Sequence, residues 1–199
     1  MNVRNMRTVF LAAMVTLAAV SGLRLVADVR AGDTDAAAIW IGLLLVVVIL
    51  AVVFATMSRR VVSCAARAAR HRPGMVVVPG FTTAEMRDIA RHQGASARGW
   101  LAMGGSPVAV VVTPTELEVW GRLDDGPRWV VQRTPDGVTD GPAVYGGREV
   151  PAVWAHDGLT AVVLVPAYRP LPAMVGRVGA DVDRAVAELS GTAPVPGAG

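Results

Sequence analysis

From Ala36 to Met57 the chain carries no charged side chain, and five arginines then follow within fourteen residues, at Arg59, Arg60, Arg67, Arg70 and Arg72. In a helix rising about 1.5 Å per residue, a run of this length covers the roughly 30 Å of a bilayer's hydrocarbon core. Arginine concentrated on one flank of such a run marks the cytoplasmic side. The expectation is a span over about 36–57, with everything after it in the cytoplasm. Trp40 lies where an indole can sit at headgroup level, and nothing ionisable interrupts the run. This argues against a proton relay, ion pathway or transporter core in this segment, because those functions need polar groups at membrane depth.

An earlier apolar run, Thr8 to Leu23, follows Arg4 and Arg7 and is interrupted by Arg24. Alone it is short for a bilayer core, and two readings stay open. Continued to Ala27, with Arg24 snorkelling to the interface, it is a first span over about 8–27. Ended at its small residues Ala18, Ala19 and Ser21, it is a signal-peptide core after a basic start. The connection from Arg24 to Asp35 balances two arginines against three aspartates and belongs outside. The resulting expectation is a multi-pass protein of the inner (plasma) membrane, a transmembrane hairpin over 1–57 with both termini cytoplasmic.

Charge supports that placement. The 199-residue chain has a formal net charge of +3, all nineteen basic residues are arginine, and the excess sits beside the membrane segments. From Pro73 onward arginines and acids nearly balance, so the pattern is a membrane-surface signal; nucleic-acid binding would need a basic face on the folded domain itself. Arg59, Arg60, Arg67, Arg70 and Arg72, in a juxtamembrane helix or linker over 58–73, are the candidate residues for anionic lipid headgroups or for topology alone. The single cysteine, Cys64, forms no disulfide within the chain; arginines nearby favour a thiolate, but no histidine base or second cysteine accompanies it. Neither a metal site nor a cofactor motif is recognisable, since the Gly104-Gly105 and Gly146-Gly147 pairs lack the contexts that hold phosphates.

The segment 74–191 has the length of one domain, stable alone, with 192–199 as a disordered tail. Met75 to Val78 reads as a strand stopped by Pro79-Gly80. Thr82-Thr83-Ala84-Glu85 reads as a capping box, with Thr82 as cap, opening a helix to about Gln93. Val108 to Thr113 is a continuous apolar strand, and Glu116 to Trp120 alternates, with Leu117 and Val119 inward and Glu116 and Glu118 toward solvent. Further strands are expected over Trp129–Arg133, Glu149–Trp154 and Leu159–Val165, with a loose Gly-rich stretch before Glu149. The periodicity of Val175, Val178, Val182, Ala185, Val186 and Leu189 predicts a closing amphipathic helix to Gly191, with Arg177–Asp181 and Arg184–Glu188 pairs on its exposed side. The fold class is α+β: a transmembrane helical hairpin, then a mainly antiparallel β domain closed by a C-terminal helix.

The run Val108 to Gly121, with its Thr-Pro-Thr turn, and the closing helix Ala173 to Ser190 resemble the PH-like domains of small bacterial membrane proteins with two N-terminal spans. The resemblance covers about residues 75–190. It implies a partly open barrel and a binding or scaffolding role. Among reactive groups, His156-Asp157 has the composition of a base pair but lies at a turn where Asp-Gly has a sufficient conformational reason. His71 and His92 lack ligand spacing. Trp100, Trp120, Trp129 and Trp154 fit either a core or a binding platform. The function these features imply is a non-catalytic, membrane-anchored cytoplasmic module that binds another protein. The alternatives are a small membrane-bound enzyme with a dispersed site, or an accessory subunit acting through its spans.

Overall fold

In the computed structural model the described residues are 16, 19–31, 34–134 and 136–191. The chain forms two compact units, Met1–Thr56 and Met57–Gly199. In the first, residues 19–31 are helical (α1), and the start of the earlier apolar run, 8–15, lies outside the described residues, as does the expected tail. Helix α2, Thr34–His71, crosses the boundary between the units, and its stretch Ala38–His71 is long and apolar enough to cross a membrane. Among the described residues it is the one helix that meets that condition.

The second unit is α+β, a seven-stranded antiparallel sheet curled into a half-barrel with helices against it. In chain order it holds β1 (Val76–Thr82), α3 (Ala84–His92), β2 (Pro107–Val112), β3 (Glu116–Gly121), β4 (Trp129–Gln132), β5 (Val138–Tyr145), β6 (Arg148–His156), β7 (Ala161–Pro166), α4 (Pro170–Met174) and α5 (Gly179–Ser190). The strand order is β4-β3-β2-β1-β7-β6-β5. The continuous apolar run of β2 follows from burial on both faces. Val108, Val110 and Val112 enter the main core with Phe81, Leu117 and Leu164, while Ala109 and Val111 pack with Cys64, Ala68 and Trp120. The last turns of α2 thus belong to the folded unit, with Val61, Cys64, Ala65 and Ala68 recurring at three and four residues as its packed face.

Four expectations change. The first strand does not stop at Pro79-Gly80. The Pro79 carbonyl accepts from Ala167 N at 2.8 Å, so the polar groups of Pro79 face β7, whose ladder with β1 starts only at Gly80. A missing N–H at the end of a ladder costs one terminal bond, and Gly80 permits close approach, since a Cβ there would meet Leu164 Cδ1 at 2.6 Å. The cap of α3 is Thr83, whose hydroxyl accepts from Met86 N at 3.1 Å, one residue later than expected. Thr82 ends β1 instead, its hydroxyl accepting from Ser106 N.

The stretch read as loose contains β5. Its Gly141 and Pro142 are tolerated because β5 is an edge strand, where Pro142 lies opposite Pro151 and the Trp154 indole donates to the Pro142 carbonyl at 3.2 Å. The closing helix, finally, is two helices. Gly176 sits at φ +71°, with Val150 Cγ1 2.7 Å from where a Cβ would stand, and the amides of Gly176 and Arg177 return to Ala173 and Pro172. Arg177 therefore precedes α5, and Asp181 pairs with Arg169 at 2.8 Å instead. The Arg184–Glu188 pair forms at 2.7 Å, and Gly191 caps α5 at φ +78°.

Each edge strand of the sheet has an outward amide bonded by a side chain. On β5 the Val144 amide donates to the Glu85 carboxylate at 2.9 Å. On β4 the Gln132 amide donates to Asp157 Oδ2 at 2.9 Å, and the Trp129 indole donates to the Ala161 carbonyl at 3.2 Å.

Candidate functional site

The five arginines after the apolar run separate into two groups. Arg59, Arg60 and Arg70 are exposed. Arg67 reaches the β3–β4 turn, where its Nε donates to the Asp124 carbonyl at 2.9 Å and its guanidinium pairs with Asp125. Arg72 forks onto Glu118, with Nε 3.0 Å and Nη2 2.9 Å from Oε1. Glu118 is only 6% exposed, contrary to its expected solvent position, because the other face of β3 lies under α2. Its second oxygen accepts from the Trp120 indole at 3.0 Å, and His71 stacks on that indole with centroids 5.3 Å apart. A bidentate guanidinium and an indole N–H satisfy the buried carboxylate. Two of the five arginines thus hold the end of α2 to the sheet, and the other three stay exposed.

Cys64 is buried in the same contact, its thiol directed at the Trp120 carbonyl 3.7 Å away. Buried in apolar surroundings, it has the character of a structural cysteine. Trp120 and Trp100 are core residues, with Trp100 edge-on to the half-buried Trp129 at 5.6 Å and Arg128 4.8 Å above its ring.

His156 and Asp157 do not form a catalytic pair. Asp157 Oδ1 accepts from the amides of Leu159 (2.8 Å) and Thr160 (2.7 Å), and Oδ2 accepts from Gln132. Partial burial pushes this carboxyl up, and the backbone amides of Thr160, Gln132 and Leu159 outweigh it, leaving the group below its ordinary 3.8. The carboxylate is spent on the turn. The imidazole of His156 instead lines an open groove of about 380 Å³ with His92, Gln93, Ile89 and Ala161, and Leu159, 91% exposed, stands on its rim. The sequence places His92 and His156 sixty-four positions apart, and only the packing of α3 beside β7 brings them to one groove.

A second polar cluster is built on the Arg184–Glu188 pair that the sequence signals, while the parts played by Tyr168 and Arg169 have no signature there. The Tyr168 hydroxyl donates to Glu188, Arg184 donates to the other oxygen of Glu188 at 2.7 Å, and the Arg184 guanidinium lies 4.0 Å over the Tyr168 ring. Burial and the hydrogen bond to Glu188 push the phenol well above its ordinary range, so Tyr168 stays a neutral donor. Asp181, paired through Oδ1 with Arg169, keeps Oδ2 without a hydrogen bond among the described residues, at the first turn of α5 where the helix dipole favours negative charge. These groups tie α5 to the β7–α4 connection. Among the described residues no three His, Cys, Asp or Glu side chains gather as a metal site. Comparison of the chain with protein-family models, with curated proteins and with solved structures finds no significant match.

Proposed function

We propose that this chain is a two-span membrane protein whose cytoplasmic, PH-like domain binds another protein and carries out no reaction of its own. The helix Ala38–His71 and the arginines that follow its apolar part support the anchor and its orientation. The curled antiparallel half-barrel and the pattern of Val108 to Gly121 support the family reading. One observation carries the binding role. Leu159 projects from a turn that Asp157 and Gly158 already shape, 91% exposed, beside a groove floored by Ile89 and Ala161. A large apolar side chain on water gives the fold nothing there, whereas an exposed leucine next to an apolar groove suits an interface anchor. One outward amide on each edge strand, Val144 on β5 and Gln132 on β4, is already bonded by a carboxylate, which favours a partner that engages side chains over one that adds a strand.

The test is a photo-crosslinking residue placed at position 159 of the full chain in cells, with the adducts identified by mass spectrometry. The expected outcome is one stoichiometric protein adduct, reproducible between cultures, whose co-purification with the unmodified chain is lost in Leu159→Asp. A chain that remains without adduct, and whose associated proteins are unchanged by Leu159→Asp, sinks this reading.

A further inference from the structure

Three loops of the second unit converge on one patch that the binding groove does not include. The loop before β2 carries Leu101 and Met103, 58% and 59% exposed, and the α4–α5 connection carries Val175, 47% exposed. Between them lies the β5–β6 turn. Gly146 N donates to the Met103 carbonyl at 2.7 Å, a Cβ on Gly147 would lie 3.5 Å from Met103 Sδ, and one on Gly176 would lie 3.5 Å from Arg148 Nη2. Three exposed arginines, Arg98, Arg148 and Arg177, sit on these loops or at their ends, and none has a carboxylate within ion-pair distance among the described residues. Among the described residues of the unit, six arginines have such a partner and six others, including Arg59, Arg60 and Arg70 on α2, have none, so what sets Arg98, Arg148 and Arg177 apart is their place beside Leu101, Met103 and Val175.

Apolar tips interleaved with unpaired guanidinium groups match an anionic bilayer surface: leucine, methionine and valine enter the boundary of the acyl region while the arginines meet phosphates. The location within the unit agrees. At the end of α2 nearest its long apolar stretch, Val61 and Val62 line one groove with Pro79, Ala167 and Tyr168, and Ala167-Tyr168 lead through α4 directly to Val175. Tethering keeps a bilayer at high effective concentration, so contacts too weak to recruit a free domain suffice.

We infer that Leu101, Met103 and Val175, with Arg98, Arg148 and Arg177, form a foot that rests on the anionic leaflet. The inference draws on the anchored reading for the presence of a bilayer and is independent of the partner at Leu159.

The experiment places a nitroxide at position 103 (Met103→Cys) of the full chain in nanodiscs. Collision with a water-soluble relaxation agent is then compared between discs containing phosphatidylglycerol and discs of phosphatidylcholine alone. The expected result is a label shielded from water in the anionic discs and exposed in the zwitterionic ones. Each of Arg148→Gln and Arg177→Gln should lower the docked-to-free ratio about fivefold. A label exposed in both lipids overturns the inference. So does one shielded equally in both and in detergent, which assigns the patch to a second copy of the chain. A chain that does not enter the discs at all sinks the anchored reading and the foot together, whereas an incorporated chain with an exposed label sinks the foot alone.

Discussion

Asp157 shows how one side chain can be legible in identity and illegible in role. Asp-Gly after a strand predicts a turn, and the turn is there; that the second carboxylate oxygen crosses to Gln132 and seals the edge of β4 depends on the curl of the sheet. Its carboxyl lies below 3.8 in the folded state, so the stability it contributes is fully present above that pH and is lost as the pH falls through the lower, folded value. Asp157→Asn should therefore lose stability at neutral pH and show a shallower acid-side decline than the parent chain, measured as urea midpoints across an acid series. Identical slopes would mean that Asp157 is not linked to folding. Glu118 shows the same limit from the other direction. Alternation along β3 correctly separates it from Leu117 and Val119, but alternation says only that it lies on the other face, and that face is covered by α2.

Elements with a strong local cause were legible. The apolar run of β2, the cap region of α3, the Gly191 stop and the apolar part of α2 each follow from residues a few positions apart. β5 was not, because Thr139, Asp140, Gly141 and Pro142 have turn chemistry and become a strand only through pairing with β6. That strand depends on Glu85 for its outer edge. Glu85→Ala leaves the Val144 amide open on the edge strand, and the expected consequence is a concentration-dependent increase in self-association, seen by analytical ultracentrifugation in detergent, with a stability loss of about 1–2 kcal/mol. An unchanged sedimentation profile would show that Pro142 guards the edge unaided.

For the molecule as a whole, the compact unit begins at Met57, ahead of the residue-74 start that composition suggested. A fragment starting at Gly74 uncovers Trp120, Ala109 and Val111 and leaves the Glu118 carboxylate without its guanidinium. It should be less stable than a fragment starting at Met57 by about 3 kcal/mol, by urea denaturation followed through tryptophan fluorescence, and should bind an apolar dye. Equal midpoints would reduce the final turns of α2 to a passive spacer. The separation in sequence within this contact also sets an order of events during synthesis. Cys64 meets Trp120, 56 residues downstream. At translation speeds of about 5–20 residues per second, the packed face of α2 waits roughly 3–11 s for its counterpart to leave the ribosome. Apart from Val61, that face offers chaperones and neighbouring nascent chains only alanine and cysteine to grip in the interval, so the small side chains that make the contact close also keep it quiet until the sheet arrives.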